Sequence, residues 1–289
     1  MFEAQTIFDN QTRIAAPVAY PGPPGTHSSA AATALFPSEP LLPVGGFRAV
    51  ADAIVRADAG HGVLPIESSL AGPVAETHDL LYERGLSIVA EAVLPIRHCL
   101  AAVKPVPLDE IRIVRSHPSA LEQCRELLAR LPHVGVVAAT TTAEAARQAA
   151  EEGDSSVAVI AGEAAVSLYG LTVLMDDVGD VPAFTRFVSI APYTNLGASR
   201  SSARTAVTFL TDHRPGALHA AIEPLARAGL DLCRLVSRPL PATPWRYRFD
   251  AVVGGHLLEP SVRTALRELD AVTRSLRVVG VYDAAKEDV

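Results

Sequence analysis

Cysteine is scarce in this chain, with only three among 289 residues. Cys99, Cys124 and Cys233 lie far apart, are odd in number and form no CxxC pair. This distribution argues against a disulfide framework or a zinc knuckle, and it fits a reducing compartment.

Long apolar runs are also absent. No uninterrupted apolar stretch reaches the roughly 18 residues that a membrane-spanning helix needs. The N-terminal residues 1–13 lack the basic start and apolar segment of a secretory signal. We therefore expect a cytoplasmic protein with no membrane partner.

Basic residues and metal-binding patterns are in short supply as well. The chain has 25 Lys and Arg against 32 Asp and Glu, a net charge of -7, so no nucleic-acid partner is expected. Its nine histidines show no HExxH or His/Cys spacing suited to a metal. No GxSxG elbow marks a serine hydrolase either.

Apolar and polar segments alternate along the chain in two rhythms, and the length favours two domains. From residue 18 to 190, apolar runs alternate with helical patterns, which predicts α/β units with largely parallel sheets. Residues 192–202 are polar and predict a linker. From 205 to 282 the predicted order is βαββαβ, the ferredoxin-like pattern, with Pro215 at the first position of its first helix.

Hydroxyl-rich turns stand beside four apolar runs. They are residues 22–28 (GPPGTHS), 65–69 (PIESS), 116–121 (SHPSAL) and 185–187 (TRF). The first three follow predicted strands, whose carboxyl ends carry the ligand sites of α/β sheets. Thr185 is expected to lead into a strand over 187–190, and residues 120–130 are expected to form one amphipathic helix.

Each turn has a structural and a functional interpretation. Ser68, Ser69 and Ser116 could simply cap helices. Residues 22–28 lack the endings of a nucleotide-binding loop. Their glycine and proline could merely shape a turn, or the Thr26 and Ser28 hydroxyls and helix-start N–H groups could accept a carboxylate. Residues 214–219 (RPGALH) are either an ordinary helix start or an amino-acid pocket.

Taken in order, these segments resemble prephenate dehydratase with a C-terminal ACT regulatory domain. Residues 20–28 (YPGPPGTHS) are similar to the family's Y-L-G-P-x-G-T-[FY]-S, 65–69 to P-[IV]-E-N-S, and 116–124 (SHPSALEQC) to S-H-P-Q-A-L-x-Q-C. The further matches are 169–171 (YGL), 185–187 (TRF), 214–218 (RPGAL), 237–239 (SRP), 254–256 and 280–282. Together they cover nearly everything from 18 to 282.

The resemblance implies a fold with definite boundaries. It implies a bilobed, periplasmic-binding-protein-like catalytic domain of two α/β subdomains, followed by a ferredoxin-like ACT domain. The domains implied are an extension (1–16), the catalytic domain (17–192), a linker (193–202), the ACT domain (203–283) and a tail (284–289).

The resemblance also implies an activity, the conversion of prephenate to phenylpyruvate with loss of water and carbon dioxide. No metal or organic cofactor is implied. Three residues are implied as catalytic and five as substrate-binding. The catalytic residues are Thr185, Glu67 and Ser69, and the substrate-binding residues are Thr26, Ser28, Ser68, Ser116 and Arg186.

Regulation and assembly are implied in the same way. L-phenylalanine is the implied effector, and the protein is expected to be a homodimer or homotetramer. The implied effector-binding residues are Pro215, Gly216, Ala217, Leu218 and Asp231.

The chain departs from the family pattern at several positions. Ser68 stands where the family has Asn, His27 replaces an aromatic residue, and the Asn that commonly precedes TRF is missing. Val236 replaces the Glu of ESRP. These departures leave open an arogenate dehydratase, a non-aromatising prephenate decarboxylase of a specialised pathway, or a non-catalytic amino-acid sensor.

Overall fold

The computed structural model describes residues 16–241 and 243–285. The predicted extension, except for residue 16, and residues 286–289 of the predicted tail lie outside this part of the chain. No helix within it is long and apolar enough to cross a membrane.

Strands and helices alternate through the described residues. The strands are β1 (Val18–Pro21), β2 (Leu41–Val44), β3 (His61–Ser68), β4 (Gly72–Pro73), β5 (Ser87–Ile96), β6 (Cys99–Ala102), β7 (Ile113–Ser116), β8 (Gly135–Ala138), β9 (Val157–Ala161), β10 (Thr172–Met175), β11 (Ala183–Ala191), β12 (Ala203–Leu210), β13 (Leu232–Pro239), β14 (Tyr247–Gly254) and β15 (Ser275–Asp283). The α-helices are α1 (His27–Leu35), α2 (Phe47–Val55), α3 (Ala75–Arg84), α4 (Pro118–Gln123), α5 (Arg125–Arg130), α6 (Thr142–Glu152), α7 (Glu163–Leu168), α8 (Ala217–Arg227) and α9 (Pro260–Ala271).

The first lobe is a sheet with helices on both faces. Its strand order is β2-β1-β3-β11-β5. Helix α1 covers one face, where Tyr20 and Phe187 are buried in a shared cluster. The opposite face carries Leu64 and Val188, which pack with residues of α2 and α3. Burial of apolar side chains on both faces accounts for the nearly continuous apolar runs of these strands.

The second lobe is a separate five-stranded sheet with the order β10-β6-β9-β7-β8. The chain enters it through residues 97–98 and leaves through 176–182. Two crossings between two α/β lobes confirm the bilobed prediction. The prediction of largely parallel sheets is wrong, because β11 returns antiparallel between β3 and β5, and β6 pairs antiparallel with β9 and β10.

A third unit follows residues 192–202, which contain no helix or strand. Its elements run β12, α8, β13, β14, α9 and β15, and its sheet order is β13-β14-β12-β15. This confirms the predicted βαββαβ order. We call residues 203–285 the C-terminal unit. Pro215 is not the first helical residue as predicted, because Gly216, at φ 78°, precedes a helix that begins at Ala217.

Several elements differ from the sequence expectations. Strands β2, β4, β6 and β10 and helix α2 are not predicted from the sequence. The predicted helix over 120–130 is broken into α4 and α5 at Cys124. Thr185 lies inside β11, which begins two residues before it, and not ahead of the strand.

The C-terminal unit docks on α3 of the first lobe through ion pairs. Arg238 donates two hydrogen bonds to Asp79, and the buried Arg248 donates a third. Burial acts to raise the pKa of Asp79, but these hydrogen bonds outweigh it and hold that pKa below its usual value. His78 of α3 also contacts Asp250 of β14 at 3.0 Å.

The two units also share one sheet. Strand β15 pairs with β5 in parallel through Gly280 and Ile88, so the first-lobe sheet and the C-terminal sheet are continuous. A Cβ atom at Gly280 would overlap the carbonyl oxygen of Ile88. Glycine is therefore required here by close approach of two backbones.

Gly280→Ala is expected to lower the free energy of unfolding by about 1–3 kcal/mol, because the added methyl group overpacks the strand junction. Urea denaturation followed by circular dichroism measures this difference. Gly45→Ala is the matched control, since nothing lies within 4 Å of a Cβ at that position. Equal losses for the two variants would contradict the steric explanation.

Candidate functional site

The candidate site lies where the two lobes meet. The carboxyl ends of β1 and β3, the start of β11 and both interlobe crossings share one edge of the first-lobe sheet. Tyr169 of the second lobe donates a hydrogen bond to the Pro24 carbonyl at 3.1 Å. Gly25 has φ 87°, and a Cβ there would lie 3.0 Å from the Cα of Ala165. The turn 22–28 therefore needs glycine for both its conformation and its contact with the other lobe.

Thr185 stands at this edge with a free hydroxyl group. It is two residues into β11 and pairs with Ser68 on β3 and Leu94 on β5. Leu94 packs with Phe187 on the α1 side of the sheet, so Thr185 faces that side. Among the described residues, the Thr185 side chain makes no hydrogen bond. Its hydroxyl is therefore available to a ligand.

A β-bulge at Ile66 decides which side chains join Thr185. Arg186 pairs with Glu67, but Phe187 pairs with Pro65, so Ile66 is an extra residue in β3. The extra residue turns Glu67 to the α3 side of the sheet and Ser68 to the α1 side. Bulges of this kind often re-aim side chains next to functional sites.

Three predicted hydroxyl groups are held at this edge by backbone N–H donors. Ser68 Oγ accepts from the N–H groups of residues 70 and 71 at 3.3 and 3.2 Å. Ser69 Oγ accepts from the Phe184 N–H at 2.9 Å, and Thr26 Oγ1 accepts from the Ser29 N–H at 3.2 Å. Each hydroxyl is oriented as an acceptor and keeps its own proton for donation. This arrangement suits an anionic or carbonyl-bearing ligand.

Helix α1 begins at the same edge. Thr26 is its N-cap, and Ser28 lies in its first turn, which contains no acidic residue. The Ser28 side chain makes no hydrogen bond among residues 16–241 and 243–285. The positive end of the helix dipole therefore adds to the attraction for an anion.

Three other predicted substrate or catalytic side chains are occupied by contacts within the protein. Ser116 is fully buried and donates its proton to the Ile160 carbonyl at 2.5 Å. Arg186 and Glu67 lie on the α3 side of the sheet, where Arg186 Nε is 3.2 Å from Glu67 Oε2. The alternation of a strand directs Arg186 away from Thr185, so the structure does not bring its guanidinium to the interlobe edge.

Arg97 is a candidate that the sequence patterns do not single out. It is exposed in the first crossing between the lobes, and its carbonyl oxygen lies near Gly162 of the second lobe. Among the described residues its guanidinium forms no ion pair. A lone arginine between two strands offers no diagnostic spacing, and only the fold shows that it stands at the cleft.

A cavity of about 420 Å³ lies against the start of α8. Pro215, Ala217 and Leu218 line it, together with Arg246 and Tyr247. Helix α8 has no side-chain cap at Gly216. The Ala217 N–H donates to the Arg214 carbonyl at 3.2 Å, and the following N–H groups, of Leu218 and His219, remain available to a carboxylate. Three predicted effector residues, Pro215, Ala217 and Leu218, therefore line a cavity that offers cationic, aromatic and N–H groups, and the fourth, Gly216, lies between them in the chain. We call it the α8 cavity.

Asp231, the fifth predicted effector residue, is not at the α8 cavity. It lines a second cavity of about 230 Å³ between the C-terminal unit and the first lobe, with Glu67, Glu91, Arg186 and three other charged or thiol residues. We call this the junction cavity. Within one chain, the structure separates Asp231 from residues 215–218.

Two histidines meet between the lobes beside the turn 22–28. The rings of His27 and His98 stand edge to face with centroids 5.9 Å apart, and a Cβ at Gly162 would lie 3.2 Å from His27 Nε2. Burial, followed by the charge of His98, lowers the pKa of His27 to about 4. Burial also lowers the pKa of His98, and the hydrogen bond that His98 Nε2 donates to Gln123 Oε1 only partly opposes this. The structure therefore favours neutral rings here.

Comparison with known protein families gives one match over most of the chain. A sequence model described as prephenate dehydratase matches residues 18–195. The arogenate dehydratase/prephenate dehydratase 2 of Arabidopsis thaliana is 34% identical over 277 residues, covering 92% of this chain and 72% of the relative. The bifunctional chorismate mutase/prephenate dehydratase of Escherichia coli K12 is 33% identical, covering 92% of this chain and 70% of the relative.

Solved structures show the same fold. A prephenate dehydratase from Arthrobacter aurescens, in complex with L-Phe, is 27% identical with a TM-score of 0.82, covering 94% of this chain and 91% of that one. A protein described as GqqA, a quorum quenching acylase, is 31% identical with a TM-score of 0.85, covering 93% and 98%.

The histidine pair predicts a pH-dependent stability. Because the folded pKa of His27 lies below the ordinary value of 6.5, stability is lost as pH falls from about 6.5 to about 4. His27→Phe should remove this loss and be about 1–3 kcal/mol more stable than wild type at pH 4, relative to their difference at pH 8. Denaturant titrations at several pH values measure it. His219→Phe, at an exposed position on α8, is the control, and an equal gain there would contradict the role of the pair.

Proposed function

This chain belongs to the prephenate dehydratase family, and we propose that it converts prephenate to phenylpyruvate, carbon dioxide and water. The observation that carries the proposal is the free Thr185 hydroxyl, facing the same side as Ser68 at the edge where the lobes meet. At this edge, the hydroxyl groups that keep their protons and the N–H groups at the start of α1 can donate hydrogen bonds to a substrate with two carboxylates and a departing hydroxyl. The proposal places the protein in phenylalanine biosynthesis.

The reaction requires two bonds to break in a balanced way. The bond between the ring and its carboxylate breaks, and its electron pair completes the aromatic ring. The carbon–oxygen bond opposite breaks with its own pair, and the leaving hydroxide takes a proton to become water. Hydroxide is a poor leaving group, so a hydrogen-bond donor at that oxygen lowers the barrier.

Thr185 is the proposed donor to the departing oxygen. A threonine hydroxyl is too weak an acid to supply a proton outright, so it stabilises the leaving oxygen and relays a proton. Thr26, Ser28, Ser68 and Ser69 are the proposed carboxylate contacts, through the protons that they keep. Arg97 replaces Arg186 as the proposed cation, because it stands in the interlobe crossing.

Glu67 takes a supporting part in this proposal. It neighbours Ser68 but faces Arg186 and Arg234, with Oε2 at 3.2 Å from Arg186 Nε and 3.3 Å from Arg234 Nη1. It therefore orients the turn that carries Ser68 and Ser69. Ser116 holds the end of β7 against β9 and does not contact substrate.

We further propose that the C-terminal unit is an ACT regulatory domain that binds L-phenylalanine in the α8 cavity. A carboxylate would meet the α8 N–H groups and Arg246, and a phenyl ring would pack on Leu218 and Tyr247. A structural relative is described in complex with L-Phe. Binding there would let phenylalanine, the end product of the pathway, regulate the activity of the enzyme by feedback.

The proposal includes assembly and location. Trp245, next to the α8 cavity, is 79% exposed, and an exposed aromatic residue of this kind suits a contact with another copy. We propose a homodimer or homotetramer in which Asp231 reaches an effector site through the assembly. A cytoplasmic location fits the three free cysteines.

Product identification tests the function, and a Thr185 pair tests its site. Purified wild-type protein incubated with prephenate should give phenylpyruvate, seen by absorbance and mass spectrometry. Thr185→Val keeps the side-chain shape but removes the hydroxyl, and should lower kcat about 10²–10³-fold. Thr185→Ser keeps the hydroxyl and should retain most of the activity.

Four outcomes would contradict this assignment. Near-normal turnover by Thr185→Val would remove Thr185 from the reaction. A non-aromatic dihydro product would indicate a decarboxylase, and acylase activity without prephenate turnover would indicate the activity named for one structural relative. Phenylalanine binding with no turnover of either kind would indicate a sensor.

Arogenate is the second candidate substrate, because one relative carries arogenate dehydratase in its name and Ser68 departs from the family pattern. An Asn side chain at position 68 can accept hydrogen bonds from the N–H groups of residues 70 and 71, as Ser68 does. It also extends an amide toward the cleft. Ser68→Asn should therefore keep or raise prephenate turnover, and kcat/KM for prephenate and arogenate should be measured for both proteins. A loss of tenfold or more on prephenate would show that this position is tuned for a different substrate.

A further inference from the structure

We propose that Arg186 is a positioning residue that ties the strand of Thr185 to the C-terminal unit, so that effector binding there changes the geometry of Thr185 and Ser68. This inference rests on the proposed function and names the route by which the same site is regulated. It concerns the charged residues of the junction cavity.

Two carboxylates are each shared between the catalytic strand and the C-terminal unit. Arg186 Nη1 is 2.7 Å from Glu91 Oε1, and Arg204 Nη1 of β12 is 3.0 Å from the same oxygen. Arg186 Nε and Arg234 Nη1 of β13 likewise share Glu67 Oε2. Arg186 is therefore linked to β12 through Glu91 and to β13 through Glu67.

Burial makes these bridges resistant to loosening. The Glu91 side chain is 1% exposed, and those of Arg234 and Arg186 are 10% and 18% exposed. Separating Glu91 from its arginine partners would leave a buried charge uncompensated, which is strongly unfavourable. The Glu67 side chain is 33% exposed, so the corresponding cost is smaller there. The groups are therefore expected to move together and not to part.

The bridged residues lie next to the proposed catalytic groups in the chain. Arg186 follows Thr185 directly, and Glu67 precedes Ser68 directly. The bulge at Ile66 places Glu67 on the junction side and Ser68 on the cleft side. A shift of either bridge is passed through one peptide unit to a side chain at the cleft, where a misplacement of about 1 Å can cost roughly 10²-fold in rate.

A rigid element connects the junction cavity with the α8 cavity. Strand β12 carries Arg204 near its start, and Thr211 and Asp212, which follow its end, line the α8 cavity. It is paired along its length with β14 and β15. Occupation of the α8 cavity is therefore expected to move β12 as a unit and to shift Arg204 at the other end.

The double variant Arg204→Gln, Arg234→Gln tests the route, because both residues belong to the C-terminal unit and leave Arg186 with its two carboxylates. Phenylalanine binding, measured by calorimetry and by fluorescence of Trp245, the single tryptophan, should stay within about threefold of wild type. The change that phenylalanine causes in kcat/KM should shrink at least fivefold. Hydrogen exchange of residues 183–191, measured with and without phenylalanine, should lose its response.

Arg238→Gln is the matched control. Arg238 also joins the C-terminal unit to the first lobe, with its Nη2 2.6 Å from Asp79 Oδ2, but this ion pair ends on α3 and not on β11. It should keep the phenylalanine response. The double variant Arg204→Lys, Arg234→Lys retains the charges but not the forked geometry, and it should show a weakened response in a protein whose folding is less disturbed.

Several results would overturn the proposal. Any one of three results would do so. The first is a full phenylalanine response of kcat/KM in both double variants, and the second is an equal loss of that response in Arg238→Gln. The third is the absence of phenylalanine binding to the wild-type protein. The hydrogen-exchange measurement needs no turnover. A wild-type protein that transmits phenylalanine binding to residues 183–191 but does not convert prephenate would therefore reject the proposed reaction and uphold the coupling.

Discussion

The antiparallel return of β11 between β3 and β5 is the constraint on which the rest of the structure depends. Without it, β3 and β5 would each lack a hydrogen-bonded neighbour on one side, and the chain would have no second connection to the other lobe. The strand pairs with β5 over nine residues and with β3 on its other side. Because side chains alternate along it, one strand presents Thr185 to the cleft and Arg186 to the C-terminal unit. The proposed chemistry and its proposed control thus depend on adjacent residues of one strand.

Charge is distributed differently on the two sides of this strand. On the cleft side, oriented hydroxyls and helix N–H groups offer partial positive charge, and Arg97 adds one full charge in the first crossing. On the junction side, Arg186, Glu67 and Glu91 neutralise one another with the help of two arginines from the C-terminal unit. An arginine next to the proposed catalytic threonine looks from the sequence like a carboxylate ligand. In the fold it is neutralised by protein carboxylates before any substrate arrives.

Much of the architecture could be predicted from the periodicity of apolar residues, but the edge strand and the bulge described below could not. The βαββαβ order of residues 203–285 is visible because its elements are long and amphipathic. Strand β2 contains Pro43 and is tolerated only because it lies at the sheet edge, which no local pattern reveals. The bulge at Ile66 leaves no mark in residues 65–69, yet it decides the directions of Glu67 and Ser68. Thr185 and Ser68 were predicted from motifs, whereas the placement of Arg186, Ser116 and Asp231 required the long-range pairing of strands.

The joining of the C-terminal sheet to β5 has a mechanical consequence. Among the described residues, every hydrogen bond and ion pair that links β12–β15 to the catalytic lobes ends on the first lobe, at residues such as Asp79, Leu81 and Glu91. The second lobe is joined to the first lobe by two short crossings and by contacts with the turn 22–28, such as the Tyr169–Pro24 hydrogen bond. The first lobe and the C-terminal unit are instead joined through one continuous sheet. The proposed substrate cleft and the proposed effector contacts therefore depend on different junctions of the first lobe, and β11 is the element common to both.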